Sequence, residues 1–387
     1  MERVATEPLM QFNVKPAAEM VRGRGSYLWD ESGRAYLDFV QGWAVNCLGH
    51  CPEVVTAALQ RQLEQVVNVG PAYHNQPSQR LAQRLAELSG CERVFLAGSG
   101  AEANEAAVKL ARKWGQKHKR GAYEVITTYD SFHGRTLAMS SATGKPGFAT
   151  AYPPAIEGFP KVPFGVIGAV ERAINARTVA VMLEPIQGEA GAVVPPEGYL
   201  RALRTLCDRH EILLIVDEIQ TGMARTGPLF AHRHEGVRPD VMTLGKGLGG
   251  GLPVSAMLAR ERVACFELGD HGGTFSSHAL LSAGALAVLE QLETAEHSAL
   301  REASARSLQE ALQQVAGDHG LTLRGRGHLW GLVLPEAGAE AVRDRCFELG
   351  LLINAARPNV LRLMPALDVG AHEIAQMQEL LARALQR

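Results

Sequence analysis

Lys246 stands in TLGKGLGGGLP, residues 243–253, among five glycines and just past the apolar run DVMTL. An amine held partly out of water, with no bulky neighbours and no nearby acid, can form a Schiff base with a carbonyl compound. Without that context such a lysine is a surface charge. Asp217 closes a second apolar run, ILLIV. A carboxylate facing a pyridine nitrogen keeps it protonated, so the ring accepts electrons from a carbanion, at about 1.36 kcal/mol per pKa unit held. Strand alternation would place Asp217 and Ile219 on one side, against the ring. The plainer role for this aspartate is a helix cap or a salt bridge.

A third feature is FLAGSGAEANEAAVKLAR. Ser99 and Glu102 have capping-box spacing, with Gly98 and Gly100 keeping the backbone bare. The free N–H groups of such a terminus suit a phosphate, although an ordinary capped helix has the same pattern. GSGAEA also fits a loose G-x-G-x-x-A nucleotide fingerprint. The acid after the next strand, Asp130, lies 27 residues beyond Ala103, further than the usual ~20. A phosphate loop around Lys246 fails twice, with Asp240 where the first glycine belongs and Gly247 where Ser or Thr should follow.

The elements that must carry these residues alternate. RVFLA, EVITT, VAVML, ILLIV and DVMTL read as strands, and EANEAAVKLARKWGQ and YLRALRTLCDRHE as helices. That order predicts a mostly parallel sheet covered on both faces. Asp217, Glu184 (after VAVML), Lys246 and SFHGRT (after EVITT) all follow strands, where open α/β sheets gather ligands. Beyond residue 276, ALLSAGALAVLEQLE predicts a long buried helix. HLWGLVL, LLINA and VLRLM then predict strands, with helices at EAVRDRCFELG and HEIAQMQELLARAL. The expected organisation is an N-terminal segment 1–51 shared with a small α+β domain 276–387, and a large domain 52–275.

A chain of 387 residues, 46% hydrophobic and 21% charged with net charge -2, is an ordinary globular protein. Nothing in that balance favours nucleic acid or an anionic membrane. MERVATEPLM lacks a signal-peptide core and no run reaches a membrane span, which predicts a cytoplasmic protein. Six scattered cysteines are too sparse for a disulfide framework. Cys47, His50 and Cys51 lack the further ligands zinc requires, and HRH at 232–234 reads as a solvated loop.

SGAEANEAAVKLAR, SFHGRT, EPIQGEAG, DEIQTGMARTG, LGKGLGGGLP and GGTFSS occur in order. Together they resemble the class III, ornithine/acetylornithine-type aminotransferases that use pyridoxal 5'-phosphate (PLP). The resemblance runs from YLDFVQGWAVNCLGH to NVLRLMPALDV, and AVNCLGH and RLMPALDV are most similar to the acetylornithine branch. It implies a fold-type I transferase with a seven-stranded, mostly parallel sheet, acting as a homodimer with shared active sites.

The resemblance also implies roles. Lys246 carries the cofactor and shuttles the proton; Asp217 pairs with the pyridinium nitrogen and Gln220 with the phenolic oxygen. Phe132 and Ile219 cover the ring faces, and His133 joins the cofactor-binding set. Ser99, Gly100 and Ala101 hold the phosphate, and Thr274 reaches that of the partner subunit. Arg135 and Arg362 clamp substrate carboxylates. Glu189 pairs with Arg362 while a terminal-amine donor is bound, and swings away for 2-oxoglutarate.

Gly98, Gly273 and SSHA at 276–279 depart from the common family pattern, as does Trp43 at a substrate-facing position. The indole either reshapes the pocket or packs at the dimer interface. The expected reaction moves a terminal amino group from N-acetylornithine to 2-oxoglutarate in ping-pong fashion, with no metal. Ornithine, succinylornithine, 4-aminobutyrate, a diamine or an acylated diaminopimelate stay open as donors. The rivals are a nicotinamide-dependent oxidoreductase using GSGAEA, and a non-catalytic binder on the same fold.

Overall fold

The computed structural model describes residues 9, 10, 16 and 18–386. Of the segment 1–51, residues 1–8, 11–15 and 17 lie outside the described residues, and with them most of MERVATEPLM. The dominant element is a seven-stranded sheet. Its spatial order is Arg93–Ala97, Ser255–Ala259, Val241–Leu244, Leu213–Asp217, Thr178–Leu183, Glu124–Thr128 and Lys161–Val162. All neighbours pair in parallel except Ser255–Ala259, which runs antiparallel to both of its partners. Between that strand, SAMLA, and DVMTL there is no α-helix, only a single 3-10 turn at Lys246–Leu248 within the glycine-rich segment, so the chain reverses there.

Five strands of this sheet are buried along their whole length, Glu124–Thr128, Thr178–Leu183, Leu213–Asp217, Val241–Leu244 and Ser255–Ala259. Continuous apolar runs, rather than alternating ones, are what a sheet covered on both faces requires. The helix Gly100–His118 supplies Ala103, Ala107, Leu110 and Ala111 to the core on one face. Tyr199–Arg209 supplies Leu200, Leu203 and Leu206 on the other. The predicted helix ALLSAGALAVLEQLE spans Ala279–Glu293.

Two smaller sheets complete the molecule. Met20–Arg24, Tyr27–Asp30 and Ala35–Asp38 form a meander joined in parallel by Leu351–Leu352. Thr322–Arg326, Leu329–Val333, Val360–Leu363 and Asn354–Arg357 form an antiparallel sheet. The run LLINA, expected as one strand, therefore serves two sheets. Leu351 and Ile353 bury their side chains in the same core as Leu361 and Leu363, so packing continues where pairing changes partner.

His232 departs from its expected solvated loop: it is buried, with Nδ1 2.7 Å from the equally buried Glu218 carboxylate. His234 sits 2.9 Å from the Thr226 carbonyl. A buried carboxylate needs donors, and the two backbone amides of Ala231 and His232 also bond to Glu218. Among the described residues no helix is long and apolar enough to cross a membrane, and no group of three or more His, Cys, Asp or Glu side chains is placed to hold a metal.

Candidate active site

The carboxyl ends of the central strands open into a cavity of about 310 Å3. It is lined by Gly100 and Ala101, by Phe132 through Arg135, by Glu184, Glu189, Asp217, Ile219 and Gln220, and by Lys246. Each of these segments follows a different strand, so the parallel sheet itself concentrates them.

Asp217 is the last residue of its strand and is 3% exposed. Its Oδ2 accepts from Asn104 Nδ2 at 2.8 Å and lies 2.7 Å from His133 Nδ1. Its Oδ1 accepts from the Ile219 N–H at 3.0 Å. That last bond corrects the expectation from strand alternation. The strand ends at Asp217, and a turn closed by the aspartate itself brings Ile219 to the cavity. Asn104 escaped the sequence reading. Its signal was position, one helical turn beyond the SGAEA terminus.

Lys246 lies at the cavity floor, in a left-handed conformation with φ of 43°. Such a backbone costs a side-chain-bearing residue roughly 1–2 kcal/mol and gathers at functional positions. Burial lowers the pKa of its amine, with Glu189 opposing and Arg362 assisting that shift. The glycines around it serve the backbone. A Cβ on Gly249 would stand 2.0 Å from the Leu252 carbonyl oxygen, and Gly250 has φ of 56° with Val288 in the way. They permit the tight turn that aims Lys246 back into the cavity.

Ser99 caps the helix Gly100–His118, accepting from the Glu102 N–H at 3.3 Å. Its hydroxyl donates to the Glu102 carboxylate at 2.9 Å, a variation on the expected box. The helix's first amides, at Gly100 and Ala101, face the cavity region and have no intrahelical partner. Asp130, the nucleotide-fingerprint candidate, is surface-exposed and bonded to Arg357 at 2.8 Å.

Glu189, also in the cavity lining, meets Arg362 through Oε1 at 2.8 Å. Burial raises the Glu189 pKa, but Arg362 first, then Lys246 and Lys145, more than offset it and hold the carboxyl at about 2. Arg362 is fully buried and also donates to the Gly188 carbonyl at 2.8 Å and to Asn354 Oδ1 at 2.9 Å. Arg135 is exposed and leans on the rings of Phe132 and Phe148, 5.8 and 5.3 Å from their centroids. Glu184, noted in the sequence only as a strand end, is buried; burial pushes its carboxyl up to about 7.

Not every expected residue lines this cavity. Ser99 lies at its edge, Arg362 behind Glu189, and Thr274 is exposed outside it. Trp43 is 44% exposed and sits in a turn of four consecutive left-handed residues, Gln41 to Ala44.

The donor set suits a pyridine ring bearing an aldehyde, a phenol and a phosphate. Asp217 is charge-matched to a ring nitrogen, and Gln220 Nε2 is buried with no hydrogen-bond partner. Phe132 and Ile219 are apolar, Lys246 is the amine, and free amides lie at the helix terminus.

Residues 10–385 match the family model "Aminotransferase class-III". Acetylornithine aminotransferase 2 of Bordetella bronchiseptica is 49% identical over 375 residues, covering 96% of this chain and 95% of the relative. Crystallised N-acetylornithine aminotransferase from Stenotrophomonas maltophilia has TM-score 0.84 and 36% identity, covering 96% of each chain. An ornithine aminotransferase structure from Toxoplasma gondii, with PLP at partial occupancy in its active site, has TM-score 0.91 at 32% identity. It covers 97% of this chain and 91% of its own. The architecture is that of the fold-type I PLP-dependent transferases, and PLP is the cofactor. The chain belongs to the class III aminotransferase family.

Proposed function

We propose that this enzyme transfers the terminal amino group of N-acetylornithine to 2-oxoglutarate. Lys246 is the covalent anchor of the cofactor and moves the proton through Nζ. Bound PLP supplies an electron sink that stabilises negative charge at the substrate carbon. Asp217, fixed by Asn104 and His133, holds a proton on the ring nitrogen. Gln220 Nε2 donates to the phenolic oxygen, and Ser99, Gly100 and Ala101 bind the phosphate. Phe132, with His133 behind it, and Ile219 confine the ring and exclude water.

The observation that carries the donor reading is the Glu189–Arg362 pair at 2.8 Å. While that pair is closed, Arg135 is the cation that lines the cavity with its charge open to a carboxylate. A terminal-amine donor brings one carboxylate, remote from the amine, and Arg135 suffices for it. 2-Oxoglutarate brings two, so it needs Arg135 and Arg362 together, and Glu189 must leave. The same cavity thus accepts two chemically different substrates in turn, as a ping-pong reaction demands.

The proposed working unit is a homodimer. Thr274 and Phe275 are exposed on a surface segment, which suits contact of Thr274 with the partner subunit's phosphate. The exposure of Trp43 outside its own cavity favours packing at that interface over a place in the pocket.

The test is a panel of amino donors with 2-oxoglutarate, read by glutamate formed. N-Acetylornithine should give the highest kcat/KM. A higher value for ornithine, succinylornithine, 4-aminobutyrate or a diamine would reassign the donor.

A further inference from the structure

Glu189 is ion-paired with two cations, while Lys246 acts on it from further off. Its Oε1 meets Arg362 at 2.8 Å, while its Oε2 lies 3.6 Å from Nζ of Lys145. The two cations differ in kind. Arg362 is fully buried and tied by further bonds to Gly188 and Asn354. Lys145 is partly exposed, its side chain 28% accessible, on a flexible four-carbon stem.

The backbone beneath Lys145 is firmly held. Its N–H donates to the Ser131 carbonyl at 3.1 Å. The preceding Gly144 lies so close to the sheet end that a Cβ would stand 2.0 Å from the Thr128 carbonyl oxygen. Beyond it, Phe148 packs edge-on against Phe132 of the cavity wall, with ring centroids 5.8 Å apart. The Lys145 ammonium itself lies 5.5 Å from the Phe148 ring centroid. The stem is therefore rooted beside the cavity while its charged end stays free to follow a partner.

Opening Arg362 to a substrate carboxylate requires Glu189 to give up its principal partner. A largely buried carboxylate left without a cation is strongly disfavoured. We propose that Lys145 is the second station of Glu189: the carboxylate pivots about its Oε2 contact onto the lysine, so that Arg362 is released without stranding a charge. Lys145 is then a positioning residue. It acts through Glu189, and it favours the dicarboxylate state of the cavity over the terminal-amine state. This inference rests on the gating reading of Glu189 above.

The experiment uses the PLP-loaded enzyme and glutarate, a dicarboxylate that cannot be aminated, with binding measured by calorimetry. Lys145→Met should weaken glutarate binding about tenfold, within the range of coupling between contacting residues. KM for 2-oxoglutarate should rise in step, while kcat/KM for the terminal-amine donor stays within twofold. Lys145→Arg should restore most of the loss. In a Glu189→Ala background, Lys145→Met should change glutarate binding by less than twofold.

A tenfold loss that persists in that background would mean Lys145 attracts the ligand directly, and would overturn the proposal. So would equal losses in both half-reactions, or no loss at all. If Glu189→Ala alone impairs both half-reactions equally, the gate falls and this proposal falls with it. If that variant is selective but Lys145→Met is silent, only the proposal falls.

Discussion

Two carboxylates of the cavity lining, Asp217 and Glu189, stand in opposite circumstances. Asp217 is enclosed, with both oxygens engaged by neutral donors or an imidazole, of which Asn104 and His133 are buried. Glu189 keeps a 20% exposed side chain and is ion-paired with two cations on separate elements, one of them partly exposed. Fixed donors suit a group that must not move when charge develops, because preorganised dipoles need no rearrangement during reaction. Paired cations suit a group that must change partners. The molecule separates the part of its site that serves the resident cofactor from the part that sorts substrates.

Removing the charge of the enclosed carboxylate should have the largest effect. Asp217→Asn should lower kcat for both half-reactions by about 10³-fold, inside the range for loss of a positioned proton-holding group. Glutarate affinity should hardly change. A selective loss in one half-reaction would erase the contrast between the two carboxylates.

Glu184 sharpens the contrast through pH. Its carboxyl titrates near 7 in the folded protein, above the ordinary 4.5, because burial disfavours the charged form. The stability associated with it is full below pH 4.5 and lost as pH rises through about 7, amounting to about 3 kcal/mol. Glu189, held at about 2, behaves oppositely: its contribution is present above 4.5 and lost as pH falls through about 2. Urea unfolding of the cofactor-free protein at pH 5 and pH 8 should show Glu184→Gln flattening the decline seen in the parent. An unchanged slope would mean that Glu184 is not the group responsible.

At Glu189 the effect is smaller and one-sided. Glu189→Ala should weaken the terminal-amine half-reaction about tenfold and spare the glutamate one, since only the first needs Arg362 masked. Equal loss in both would remove the gate.

Much of this site was legible in the sequence because strands of a parallel sheet deliver their carboxyl ends to one place. Asp217, Lys246, Glu184 and the Phe132–Arg135 turn could be located by that rule alone. What escaped reading depends on contacts between distant segments. Asn104 reaches Asp217 across 113 positions of sequence, and only its place early in the helix hints at it. Lys145 sits in an unremarkable TGKPG turn and matters only because Glu189 comes near it. The glycines at 249 and 250 were visible, but the Leu252 carbonyl and Val288 that crowd them were not. The antiparallel strand Ser255–Ala259 likewise had an apolar pattern without a direction.

Borohydride reduction of the PLP-loaded enzyme, followed by peptide mass spectrometry, tests the centre of the account most directly. The account predicts a pyridoxyl adduct on Lys246 and on no other lysine. An unmodified Lys246, or an adduct carried by another residue such as Lys145, would contradict it.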